Sequence, residues 1–230
     1  MSNISIIEFI KKSPKAELHL HIEGTLEPKQ MFSFARRNNI QISFNNVNEV
    51  KKAYNFNNLE SFLKIYYEGA KVLLKEQDFF ELTWAYALKC KEDNIVHTEI
   101  FFDPQTHTKR GIGFDIVING IYKALIKAEK EFGLSFKIIM CFLRHLDEEE
   151  CFNILDKALA HKDKIFGVGL DSAEMGNPPK KFETLFKKAA ENNFITVAHA
   201  GEEGPTEYMW EALNLLNVKR IDHGVQCLKD

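Results

Sequence analysis

Two histidines, His19 and His21, lie two residues apart inside the apolar run Ala16-Glu17-Leu18-His19-Leu20-His21-Ile22-Glu23-Gly24. Alternate side chains of a β-strand point to one face, so both imidazoles reach toward the same point. Imidazole is a common ligand of zinc and similar divalent ions. A third histidine, His199, closes the run Val197-Ala198-His199, and a fourth, His223, follows Arg220-Ile221-Asp222. Burying several imidazoles costs desolvation or leaves hydrogen-bonding groups unpaired. The pattern therefore points to a metal site, against the alternative of separate core histidines each satisfied by a backbone carbonyl. Glu202 stands three residues after His199, next to Gly201. That places it to enter the same cavity without ligating, where burial tunes a carboxyl for proton transfer. The alternative is a solvated loop acid or a helix cap, a role that Glu203 fits better. Asp171 ends Gly169-Leu170-Asp171 and is placed to accept a hydrogen bond from a substrate amine or to orient a neighbour, with a loop role equally open. Asp103, before Pro104, reads as a turn former. His107 and the pair Arg144-His145 stand open between substrate contact and simple exposure.

The elements that must position these groups follow from periodicity. Residues 16–24 read as a strand, 29–38 as a helix and 41–57 as a polar connection without a period. Phe62, Ile65, Tyr66 and Ala70 recur at helical spacing within 59–74, and 78–93 is a second amphipathic helix with an acidic first turn. Residues 95–102 read as a strand stopped by Asp103-Pro104. Helices over 114–131, 147–160, 180–191 and 206–216 then alternate with strands over 134–143, 165–170, 194–198 and 218–221. Apolar strands separated by helices indicate a parallel sheet covered on its faces. A doubly wound sheet would carry G-x-G-x-x-G after its first strand, but Ile22-Glu23-Gly24-Thr25 has one glycine. Polar residues at the ends of many different strands suit a closed barrel. Eight β/α units take about 250 residues, so the expected fold is an incomplete (β/α)8 TIM barrel. About six of its units would form a single domain, 1–230, that lacks its C-terminal part.

The chain has 230 residues, 45% of them hydrophobic, and a formal charge of -3. That length supports a substantial core. The charge gives no basic field to hold a nucleic-acid backbone, so a small-molecule substrate and no nucleic-acid partner are expected. Cys90, Cys141, Cys151 and Cys227 show no C-x-x-C spacing and read as reduced core thiols of a cytosolic protein. The apolar stretch within 1–12 is interrupted by Glu8 and too short for a signal peptide, and no window reaches the roughly 20 apolar residues of a membrane span. A cytoplasmic location follows as an expectation.

The segments Glu17-Leu18-His19-Leu20-His21-Ile22-Glu23-Gly24, His199-Ala200-Gly201-Glu202 and Arg220-Ile221-Asp222-His223-Gly224 together closely resemble the adenosine/adenine deaminase family, metal-dependent purine hydrolases built on a (β/α)8 barrel. The resemblance covers essentially the whole chain. It implies one zinc ion held by His19, His21 and His199, with Glu202 as the proton-donating acid and His223 as the residue that orients and stabilises the attacking hydroxide. The segments around Glu23, Gln105 and Glu174 are similar to the adenine-using branch. That branch implies hydrolysis of adenine to hypoxanthine and ammonia, with Glu23, Gly24, Asp171 and Glu174 around the substrate and two bulky acids narrowing the pocket. An adenosine deaminase is the runner-up. Family members continue to a seventh and an eighth strand ending in a paired Asp-Asp, which this chain lacks. A third reading is therefore an inactive remnant or half of a split barrel, prone to self-association or completed by a C-terminal fragment.

Overall fold

The chain threads six strands, β1 (Lys15–His21), β2 (Ile95–Phe102), β3 (Ser135–Leu143), β4 (Gly167–Asp171), β5 (Ile195–Ala200) and β6 (Arg220–His223), through one sheet. Their spatial order is β1-β2-β3-β4-β5-β6 and every neighbouring pair is parallel. The computed structural model describes residues 5–230, so the first four residues of the amino-terminal stretch lie outside this description. A doubly wound sheet reverses its strand order at a switch point, whereas a barrel keeps chain order throughout. The architecture is accordingly α/β, a six-stranded, parallel, nearly closed barrel sheet flanked by helices: a partial (β/α)8 barrel.

Helix α1 (Ile6–Lys12) precedes the sheet, and α2 (Pro28–Asn38), α3 (Val47–Ala53), α4 (Leu59–Ala70) and α5 (Glu76–Glu92) all fall between β1 and β2. The later connections hold α6 (Pro104–Thr108), α7 (Phe114–Phe132), α8 (Glu148–Leu159), α9 (Glu183–Glu191) and α10 (Thr206–Asn214). Helix α7 shows why these segments fold as they do. Its buried stripe of Val117, Ile118, Ile121, Ala124, Leu125 and Ala128 recurs at helical period, and Gly133 ends it with φ 74°. Only a residue without a Cβ adopts that left-handed conformation at little cost. Strand β3 shows the other period. Ile138, Met140 and Phe142 face the helices, while Ile139 and Cys141 join Phe101 and Val197 inside the curve of the sheet.

Four expectations from the sequence are corrected. The connection over 41–57 contains α3, capped by the Asn46 side chain on the Glu49 N–H; it shows no period because Val50 is its one buried residue. Asp103-Pro104 does not form a plain turn, since Pro104 opens α6, where its missing N–H costs nothing. Strand β1 also stops at His21, and Ile22–Thr25 turns as a 3-10 helix. Cys90, Cys141 and Cys151 are buried and unpaired, but Cys227 is exposed rather than part of the core. Among the described residues, no helix is long and apolar enough to cross a membrane.

Helices α5 and α7 approach so closely at Gly120 that an added Cβ would lie 2.5 Å from the Glu76 carbonyl oxygen and 2.7 Å from Phe79 Cβ. Alanine gains up to about 1 kcal/mol of helix propensity over glycine. Overpacking against rigid backbone costs about 1–3 kcal/mol, and here both obstacles are fixed. Gly120→Ala is therefore expected to lower the urea midpoint of unfolding; a midpoint at or above that of the parent chain would contradict this packing.

Candidate active site

Strand β1 carries the first two histidines through an irregularity in its pairing. Glu17 pairs with Thr98 and Leu20 with Ile100, three residues against two. Such a bulge re-aims side chains. Glu17 accepts the Tyr86 hydroxyl at 2.6 Å on the helix side, Leu20 packs against the core beneath the helices, and His19 and His21 turn into the barrel. There they meet His199 from the end of β5. The Nε2 atoms of His19 and His21 each lie 2.9 Å from His199 Nε2. His223, at the end of β6, sets its ring edge-on to that of His19, the centroids 4.7 Å apart.

This convergence is frustrated as a set of hydrogen bonds. Each Nε2 either carries one proton or offers one lone pair, so His199 Nε2 cannot satisfy both neighbours. Burial, with the charges of His21, His223 and Arg220, lowers His19 to about 3. Burial and the neighbouring histidines hold His199 well below the usual range as well. Both rings are thus neutral, the form that binds metal. Three nitrogens at about 2.0–2.1 Å from one tetrahedral ion would stand about 3.3 Å apart, a few tenths of an ångström from the observed spacing.

A carboxylate pair lies beside the imidazoles. His21 Nδ1 is 3.5 Å from Asp171 Oδ2 and 3.8 Å from Asp103 Oδ1. Two candidate ligand groups result: His19 with His199 and His223, and His21 with Asp103 and Asp171. Asp103 Oδ1, Asp171 Oδ1 and His199 Nδ1 are buried without a hydrogen-bond partner. Burial and the Asp103 charge push Asp171 well above the usual carboxylate range. Asp103 goes the other way: burial opposes its charge, but the hydrogen bond and charge of His21 prevail. Burial likewise disfavours charge on His21, and there Asp103 outweighs it and raises the ring. The cluster suits a cation, which would satisfy lone pairs that nothing else reaches.

Glu202 follows Gly201, whose φ of 69° turns the chain back over the strand ends. Its Oε2 is 3.4 Å from His223 Nε2. Burial, reinforced by Glu174 and Glu203, pushes the Glu202 carboxyl up to about 7. His223 itself sits at φ 70°, a left-handed conformation unusual for a residue with a Cβ and one that persists where surrounding structure enforces it. These groups open onto a cavity of about 710 Å³ walled on the far side by Phe62, Tyr66 and Tyr67 of α4.

The structure brings His19, His21, His199, Glu202, His223 and Asp171 to one cavity. Glu23, Gly24 and Glu174 are placed differently. The Glu23 carboxylate is buried behind the wall, where it accepts the Asp103 N–H at 3.0 Å, the Tyr66 hydroxyl at 3.2 Å and a contact from His107 Nε2 at 3.0 Å. Gly24 faces the Tyr66 ring from the same side. Glu174 accepts backbone N–H groups of the loop that bears Glu202. Neither acid is among the residues that line the cavity.

Other residues acquire roles that periodicity did not reveal. Asp103, read as a turn former, is fully enclosed and accepts the Tyr66 hydroxyl at 2.7 Å. His107 is buried between Glu23 and Arg110 rather than exposed. Arg144 is buried and donates to the His199 carbonyl at 2.7 Å, whereas His145 stays at the rim on the Ser172 hydroxyl at 2.9 Å. Asp103 carried one usable signal, since it ends its strand as Asp171 ends β4.

A parallel barrel sheet that gathers imidazoles and carboxyls at the C-terminal ends of its strands defines the class of α/β-barrel hydrolases. The family model for adenosine deaminase matches residues 14–230, and the chain belongs to that family. It is 60% identical to an adenine deaminase of Acinetobacter baylyi over 97% of this chain and 67% of the relative. It is also 60% identical to an adenine deaminase of Wolinella succinogenes over the same shares. The crystal structure of an adenine deaminase from Arthrobacter aurescens superposes with a TM-score of 0.92 at 47% identity, covering 94% of this chain and 66% of that one. An amidohydrolase from Burkhoderia ambifaria solved with bound Zn superposes at 0.88 and 25% identity over 100% of this chain and 64% of that one. The chain spans about two thirds of the length of these relatives.

Purified chain, passed over a desalting column and analysed for metals, is expected to retain a divalent transition ion. Outer-shell changes at metal sites cost about 10–100-fold in affinity, so loss of an inner imidazole in His199→Ala should reduce retention at least that far. Equal metal content in His199→Ala and the parent chain would remove His199 from the cluster.

Proposed function

We propose that the protein carrying this chain is an adenine deaminase, hydrolysing adenine to hypoxanthine and ammonia in purine salvage. The reading rests on one juxtaposition: a carboxyl raised to about 7, Glu202, on the same cavity as His199, whose Nε2 has the Nε2 atoms of His19 and His21 each 2.9 Å away. The choice of adenine over adenosine is supported by the 60% identity to relatives that bear the former name. The ion we propose is zinc, held by His19, His21 and His199, because imidazole nitrogens suit that borderline-soft cation. When bound, it supplies the Lewis acidity that makes hydroxide available at neutral pH.

The chain's own residues supply proton control and orientation. Protonated Glu202 donates to N1 of adenine, which withdraws electrons from C6 and opens it to attack. His223, in contact with Glu202, orients the incoming water and stabilises the negative charge that develops on its oxygen. Of the water's two protons, one passes to the exocyclic nitrogen, which leaves C6 as ammonia, and one returns to Glu202, while the oxygen remains as the hypoxanthine carbonyl. Asp171 lies close enough to His21 to hold its orientation, while Tyr66 and Tyr67 provide flat apolar surface for a purine face. Glu23 and Gly24 contribute by bracing Asp103 and Tyr66.

No nucleic-acid partner forms part of this reading, given a formal charge of -3. We place the enzyme in the cytoplasm on the strength of its unpaired cysteines. The 230 residues are read as one domain, and the unpaired edges of β1 and β6 are where self-association or a complementing C-terminal fragment would pack. Leu18, within β1, is 43% exposed.

Adenine and adenosine offered separately to the whole protein test the substrate. Adenine should exceed adenosine in kcat/KM by more than about 100-fold, a difference of roughly 3 kcal/mol. Equal turnover would make the protein an adenosine deaminase or a generalist. The pH profile tests Glu202. As an acid raised to about 7, it is protonated below that value, so kcat should fall as pH rises through about 7. Glu202→Gln should retain metal and lose at least about 100-fold in kcat. Full activity in that variant would exclude it as proton donor.

A further inference from the structure

Glu174 has no part in the cavity, yet it is 1% exposed and its carboxylate holds four backbone donors. The N–H groups of Gly201, Glu202, Glu203 and Gly204 approach its oxygens at 2.7, 3.0, 2.8 and 2.8 Å. The loop is shaped for this acceptor. Gly201 has φ 69°, and a Cβ on Gly204 would stand 2.7 Å from Glu174 Cδ.

Arg144 completes the grip. It is fully buried, donates from NH1 to the His199 carbonyl at 2.7 Å and from Nε to the Asn177 carbonyl at 2.9 Å. The same NH1 lies 4.0 Å from Glu174 Oε1. The guanidinium thus ties the end of β5 to the loop after β4 that carries Glu174, and Glu174 ties that loop back to the residues after β5. A carboxylate accepting several N–H bonds is among the stronger polar contacts available to a loop.

We propose that Glu174, seated against Arg144, is a positioning residue that fixes the Gly201–Gly204 backbone and so aims the Glu202 carboxyl, and that it does not touch the substrate. The inference rests on the deaminase reading for its catalytic consequence, but the backbone clamp stands apart from it. Without the four bonds the loop would open locally, and Glu202 would sample positions out of reach of its acceptor. A displacement of about 1 Å in such a group lowers turnover by about 100-fold.

The test compares the parent protein with Glu174→Gln, in which one amide oxygen replaces two charged acceptors. Hydrogen exchange at the amides of 201–204 should quicken by at least about tenfold while exchange across β2 and β3 stays unchanged. In the same variant kcat should fall by about 10–100-fold with KM within threefold and metal content intact. Unchanged exchange at 201–204 would overturn the clamp. Quickened exchange with unchanged kcat in an active parent would overturn the positioning role. A raised KM at unchanged kcat would make Glu174 a substrate contact and overturn the proposal as well. If the parent protein deaminates neither purine, the deaminase reading fails, and the exchange measurement still decides the clamp. Should Glu174→Gln fail to fold, Gly204→Ala keeps the carboxylate and forces the loop off it. The same local quickening is expected there, and its absence would count equally against the clamp.

Discussion

The imidazole nitrogens of His19 and His21, both aimed at His199 Nε2, are the constraint from which the rest of the site follows. Burial keeps His19 and His199 uncharged, and neutral rings present lone pairs that repel unless a cation lies among them. The bulge in β1 exists in service of that convergence, since a regular strand pairing with β2 would not have turned Glu17 and Leu20 outward while aiming His19 and His21 inward. The buried carboxyls of Asp103 and Asp171 beside His21 answer the same need. A cation there lowers the cost of burying them, and they in turn offset its charge.

Behind these groups lies a layer of buried polar residues that never reach the cavity. Glu23 collects the Asp103 amide, the Tyr66 hydroxyl and His107; Glu174 collects the loop of Glu202; Arg144 links the ends of three strands. Parallel strands deliver their C-terminal ends to one rim but leave each connecting loop free to wander. A carboxylate or guanidinium buried under the rim removes that freedom by bonding to backbone, so the reactive side chains inherit the rigidity of the sheet.

Much of this was legible in the sequence, and the limits have physical causes. Strand β2 is legible as a short apolar run stopped by Asp103-Pro104, and helix α7 through its period of 3.6, because it buries one long continuous face. The convergence of His19, His21, His199, Glu202 and His223 on one cavity is legible only from the group, because each residue alone has a bland explanation. Helix α3 was hidden because a helix that buries only Val50 leaves no pattern. Asp103 was mistaken for a turn former because an acid before proline has a local explanation that needs no partner. Glu23 and Glu174 were placed near the substrate by resemblance, and the positions are close. Their actual work depends on which way a carboxylate points, and that is decided by tertiary donors such as the Tyr66 hydroxyl and the Gly204 amide.

A metal ion held by the facing imidazoles is what joins these parts into one site. X-ray absorption at the metal edge of the purified protein measures this directly, because it reports the elements and distances around the ion. Imidazole scattering with nitrogen at about 2.0–2.1 Å is expected. A first shell of six oxygens, or one containing sulfur, would contradict it.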